Sequence, residues 1–340
     1  MSAEDLRGPT ARVDRWEARP GSPQHQVVEG TRVGWWPVLV VAPLLAVIAA
    51  ASPASNDPAV LAGSELVDTR SVGIPLEVNP SVERWLEAFQ TTRREEFEGL
   101  LLRREIYSEM ILTKLRDRGM PEELLYIPMI ESGLSPFAVS RVSAVGLWQF
   151  MGPTAQQYGL RVDPWVDERR DPVAATDAAL DYLAWLHHRF GGSWTLAAAA
   201  YNAGPGRVER VLNRHAEGWL GDEDLFWDVV EYLPRETREY VPKMIAVTRL
   251  ANTADALGFD SSGVEPYRYE NVFVPGGTSL EHVARELGVG ANALRLLNPH
   301  LVRGVTPPDE IFALRVPVGN SATLVDGMSD RGMARLADDD

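Results

Sequence analysis

From Ser81 to Leu257 apolar residues recur at three- and four-residue intervals, and no part of the stretch alternates with period two for long. Stripes of that period are covered only by other helices, so residues 80–257 are predicted to fold as an all-helical domain. Val82, Trp85, Leu86 and Phe89 mark a first helix face. Phe97, Leu100, Leu101, Ile106, Met110, Ile111 and Leu115 mark a second, longer one, which Gly119 ends. Pro121 suits the first turn of the next helix, PEELLYIPMIE, which runs to Glu131. Asp171-Pro172 opens another, closed by Gly191-Gly192, and Ser193 is placed to cap Trp194–Asn202. Residues 235–257 are predicted to form one more amphipathic helix.

The pattern changes near residue 268. Tyr269–Val274 reads as a strand, Thr278-Ser279-Leu280 opens a short helix that Gly288 closes, Ala291–Leu297 is a second, and Ile311–Pro317 alternates as a closing strand. Strand, helix, helix, strand within residues 268–319 predicts a small α+β module. The fold class expected is therefore mainly α with this module behind it, and the helical domain reads as complete without it. Residues 320–340 are polar, end in three aspartates, and are expected to be disordered.

At the other end, residues 1–34 mix Pro, Gly and both signs of charge and read as a disordered cytoplasmic tail. Residues 35–51, WWPVLVVAPLLAVIAAA, are apolar and uncharged, with Arg7, Arg12, Arg15, Arg19 and Arg32 before them. The first charges afterwards are Asp57, Glu65 and Asp68. By the positive-inside rule the remainder of the chain is expected to be exported to the cell envelope. The run is short for a spanning helix and long for the apolar part of a signal peptide, so an uncleaved anchor and a cleaved signal both fit. Residues 52–79, rich in Pro, Ser and Gly, read as a linker.

Composition narrows the partners. Lys+Arg number 33 and Asp+Glu 48, a formal charge of −15, which repels nucleic acid and anionic membrane surfaces. The chain has no cysteine, which excludes disulfides, a Cys nucleophile, Cys-ligated zinc and an acylated N-terminal Cys. His187-His188 has no partner at metal-ligand spacing. Gly204-Pro205-Gly206 is no phosphate loop, since no Lys-Ser/Thr follows. The charge run Arg93–Glu98 reads as a solvated helix face.

Three segments carry chemistry. Glu131 ends the apolar run Leu124–Ile130. A carboxyl held there in a partly dry cleft has its pKa raised and serves as a general acid; facing water, it is merely a cap. Gln149 is the lone amide in Gly146-Leu147-Trp148-Gln149-Phe150-Met151, and is either a satisfied core residue or a cleft donor toward a sugar's N-acetyl or hydroxyl groups. Tyr201 and Asn202 follow four alanines and precede Gly204, where they face a ligand or cap a helix.

The order Glu-Ser, Gly-Leu-Trp-Gln, Ala-Tyr-Asn-Ala-Gly resembles the family 1 lytic transglycosylases of the lysozyme-like superfamily. The similarity runs from about residue 95 to 250 and includes Tyr232-Leu-Pro-Arg-Glu-Thr-Arg-Glu-Tyr240-Val-Pro. It extends to the membrane-bound type D enzymes, in which LysM modules follow the catalytic domain. The resemblance implies a lysozyme-like fold and a peptidoglycan substrate cleaved at the MurNAc-β-1,4-GlcNAc bond with no metal or organic cofactor. Glu131 then matches the catalytic acid/base, Ser132 the adjacent serine that orients it or the substrate, Gln149, Tyr201 and Asn202 the cleft residues that contact the glycan, and Tyr240 the late tyrosine near the catalytic carboxylate, a further substrate-binding candidate. The module resembles LysM in its element order and in Leu294-xx-Leu297-Asn298-Pro299. Thr306-Pro307-Pro308 lengthens its last connection, so glycan binding and a purely structural cap both remain open. The rivals are a muramidase-type hydrolase, which needs a second carboxylate such as Asp163 or Asp167, and a non-catalytic peptidoglycan-binding scaffold.

Overall fold

The computed structural model describes residues 73–338. The tail, apolar run and most of the linker expected over residues 1–72 lie outside them. The first helices are α1 (Pro80–Gln90), α2 (Arg94–Asp117), α3 (Tyr126–Ser132) and α4 (Gly152–Gln157). They are followed by α5 (Pro172–Arg189), α6 (Trp194–Ala203), α7 (Pro205–His215), α8 (Leu225–Val229) and α9 (Arg235–Asn252). Their starts are set locally. Asn79 Oδ1 accepts from the Ser81 and Val82 amides ahead of α1, Asp171 from Val173 and Ala174 ahead of α5, and Ser193 from Leu196 ahead of α6. The stretch 121–131 divides into a 3-10 turn, Glu122–Leu125, and α3. The helix expected over 235–257 stops at Asn252, and the chain turns out through Gly258 at φ 72°.

α6 is the hub. Leu196 and Ala197–Ala200 are fully buried, and methyl-sized side chains let α5, α7 and α9 approach it closely. α9 also packs on α1 and α3, and so brings Tyr240 to the end of the helix that carries Glu131. Phe89, Phe97, Phe190 and Phe226 are wholly buried around this frame, each stabilising the fold by roughly 1.5–3 kcal/mol.

β1 (Glu270–Val274) and β2 (Phe312–Val316) pair antiparallel with Val272 opposite Leu314, and α10 (Leu280–Leu287) and α11 (Ala291–Leu297) connect them. Val272, Val274, Val283, Leu294, Leu314 and Val316 form a second core, which Val166 of the helical stretch joins. The polar tail expected from residue 320 is instead helical, α12 (Ser321–Asp338). Leu324 is buried in the second core with Met328 against it, and Glu270 accepts from the Gly319 and Ser321 amides at the helix start. An i, i+4 apolar pair diluted by polar residues is enough to dock that turn.

The module is joined to the helices by backbone and by charge. Val166 and Leu301 form an antiparallel bridge, the Asp167 amide donates to His300 O at 2.9 Å and the Val302 amide to Trp165 O at 3.1 Å. The Arg315 guanidinium from β2 donates to both oxygens of Asp171, the α5 cap, at 2.9 and 2.7 Å. Burial alone would push the Asp171 carboxyl up; the Arg315 charge, with His300 beside it, outweighs that and holds it low. The Thr306-Pro307-Pro308 insertion closes on the turn after β1, where the Gly277 amide donates to Thr306 O and the Thr278 amide to Thr306 Oγ1.

Candidate active site

α3 ends at Gly133, whose φ of 62° turns the chain sharply, and Arg103 from α2 donates to the Gly133 carbonyl. Glu131 thus stands at the last turn of a helix whose Tyr126–Met129 are buried. Its side chain is only partly exposed. Tyr240 Oη from α9 donates to Glu131 Oε1 at 2.7 Å. Burial pushes the Glu131 carboxyl up to about 7, against the pull of the Tyr240 hydrogen bond; the Glu236 charge adds to the rise and the Lys243 charge opposes it. Burial likewise lowers Lys243, to about 8. Glu236, Tyr240 and Lys243 are spaced i, i+4, i+7, one stripe along α9.

The segment 146–150 is clamped beside this carboxyl. Gly146, at φ 84°, lies so close to Arg169 that a Cβ would sit 1.7 Å from its carbonyl oxygen, so only glycine fits. Trp148 is fully buried and its Nε1 donates to Thr176 Oγ1 on α5 at 2.9 Å. Ser132 Oγ donates to Leu147 O at 2.7 Å, and Tyr201 Oη to Trp148 O at 2.7 Å. The Ser132 and Tyr201 hydroxyls are thus bonded to main-chain carbonyls and hold the segment in place. Gln149 takes φ 51°, uncommon for a residue with a side chain, and its Nε2 donates back to Gly146 O at 2.8 Å. Asn202 accepts from Thr237 Oγ1 at 2.8 Å and donates to Glu236 Oε1 at 3.3 Å.

Glu131, Tyr240, Gln149, Tyr201 and Asn202 are thus linked through α3, α6, α9 and the clamped segment. The second carboxylates named for a hydrolase are not part of this set. Asp163 Oδ1 accepts from the Trp165 and Val166 amides and its other oxygen pairs with Arg161, while Asp167 is buried against Arg169. Glu236 is the acidic group whose charge bears on Glu131. Sequence reading missed it because an exposed helical glutamate is unremarkable alone; its spacing from Tyr240 was the available signal. Among the described residues no group of His, Asp and Glu is arranged to hold a metal ion. His187 stacks on Trp194 with ring centroids 3.8 Å apart.

Known proteins resemble this chain in two stretches. Residues 110–219 match the transglycosylase SLT domain, and residues 268–328 the LysM-like domain of lytic transglycosylase MltD. The chain is 35% identical over 199 residues to the membrane-bound lytic murein transglycosylase D of Escherichia coli K12, covering 58% of this chain and 43% of that protein. It is 32% identical over 149 residues to the soluble lytic murein transglycosylase of the same strain, covering 41% and 22%. The crystal structure of the 70 kDa soluble lytic transglycosylase from E. coli aligns with a TM-score of 0.34 and 30% identity, over 40% of this chain and 22% of that one. The chain spans less than half the length of these curated relatives. It carries a transglycosylase SLT domain followed by an MltD-type LysM-like domain.

Proposed function

We propose that the protein is a peptidoglycan lytic transglycosylase acting on the bond between N-acetylmuramic acid and N-acetylglucosamine. The observation that carries the reading is one carboxyl, Glu131, raised to about 7 and held by Tyr240. At that value the protonated form is populated near neutrality, and the ionised form is as readily reached. In the first half of the reaction the Glu131 proton moves to the leaving glucosamine O4 as the C1–O4 bond breaks. In the second, the muramyl 6-hydroxyl bonds to C1 and gives its proton back to Glu131. The ring closes as a 1,6-anhydro sugar, water does not enter, and the enzyme regains its starting state. Tyr240 supports both halves, because its O–H donates to the carboxylate left after the first transfer. Buried as it is, the Tyr240 phenol is pushed well above its usual range and stays a donor.

Glu131→Gln keeps the acceptor for Tyr240 and removes the transferable proton. Turnover on purified peptidoglycan should fall ~10⁴-fold or more, since one group serves both steps, while binding to glycan is retained. Full activity in that variant would remove Glu131 from the chemistry.

The chain is further proposed to work on the exported side of the membrane, held by residues 35–51 or released from them. The arginines before that run and the acidic residues after it support the orientation. A reporter fused after residue 60 should be active only outside the cytoplasm, and activity confined to the cytoplasm would contradict it. Residues 80–257 are assigned the chemistry and residues 268–319 retention on the wall, on the LysM-like match.

A further inference from the structure

Many of the described arginines sit in ion pairs, but the three on α7 do not. The side chains of Arg207, Arg210 and Arg214 are exposed and make no ion pair or hydrogen bond with any described residue, while the helix's one carboxylate, Glu209, is bound to Arg189 at 2.6 Å. Their spacing, i, i+3, i+7, sets them on one face about 10 Å long. With Val211, His215 and Tyr232 they line a shallow groove. The His215 ring stacks on Tyr232, with centroids 3.6 Å apart and planes 4° from parallel. Like charges three and four residues apart weaken a helix by a few tenths of a kcal/mol per pair. Among the described residues no carboxylate is placed to relieve them.

The stripe begins beside the cleft. α7 follows α6 across Gly204 alone, and α6 ends in Tyr201 and Asn202, with Asn202 bonded to Glu236. A ligand reaching from the cleft onto α7 therefore meets guanidinium groups, which bind carboxylates through paired N–H donors. The groove is too short to track a polyanion, and the net charge of −15 opposes nucleic acid and anionic bilayers.

We propose that Arg207, Arg210 and Arg214 bind the free carboxylates of the peptides that hang from the muramyl residues, so that the enzyme reads the peptide alongside the sugar. The proposal rests on the peptidoglycan reading above. The test compares kcat/KM on peptide-bearing glycan strands with that on strands stripped of peptide by an amidase. It is run for the wild-type chain and for Arg210→Glu/Arg214→Glu. Co-sedimentation of both materials with the same double change in a Glu131→Gln background gives binding without turnover. Wild type should prefer peptide-bearing strands, and the double variant should lose roughly 10-fold of that preference, the effect of a charge-assisted hydrogen bond. Added salt should erode the wild-type preference in the same direction. An unchanged ratio in the variant overturns the proposal. So does loss of binding to anionic phospholipid vesicles with the strand ratio intact, which would assign the stripe to a membrane. Absence of wild-type turnover on either substrate defeats the transglycosylase reading instead, and co-sedimentation then still decides the stripe.

Discussion

Glu131 shows how neighbours on several elements tune one carboxyl. Burial raises it, Tyr240 pulls the other way, and the Glu236 and Lys243 charges from the same helix act in opposite senses. Activity that needs the protonated acid is present below its pKa and declines as pH rises through it. Removing the Glu236 charge lowers that pKa. Glu236→Gln should therefore move the alkaline limb of the kcat/KM profile to lower pH. A limb that stays put would show that Glu236 is electrostatically idle. Glu131 and Tyr240 were legible because they sit in recognisable motifs. Glu236 and Lys243 were not, because their meaning arises only when α9 lies against α3.

At the scale of elements, the parts legible in the sequence are those with local causes. Asn79, Asp171 and Ser193 fix helix starts through their own side chains, and the stripe of α2 buries Phe97, Leu100, Leu101, Ile111 and Leu115. The segment 146–150 has no local cause. Its shape depends on Gly146 fitting against Arg169, on the Trp148–Thr176 bond, and on hydroxyls donated by Ser132 and Tyr201 from two different helices. Sequence spacing alone does not reveal these bonds. α12 eluded the reading for a related reason: Leu324 and Met328 find their partners only in the core of the preceding module.

At the scale of the whole molecule, the module bears directly on the helical part. The buried Asp171–Arg315 pair ties β2 to the start of α5, and α5 carries Thr176, which holds Trp148. Arg315→Met leaves the Asp171 carboxylate buried without its main counter-charge, at a cost of about 3–5 kcal/mol. Calorimetry should show one cooperative transition at lower temperature, with catalysis weakened below it. A separate early transition that spares the helices would mean the module is only tethered. The central claim, that a single carboxyl closes an anhydro ring rather than admitting water, is tested most directly by the mass of the product. Mass spectrometry of a wild-type digest of purified peptidoglycan should find muropeptides ending in 1,6-anhydro sugar, lighter by one water than the hydrolysis product. Mainly reducing ends would contradict the account and make Glu236, whose charge bears on Glu131, the carboxylate to examine as a base for water.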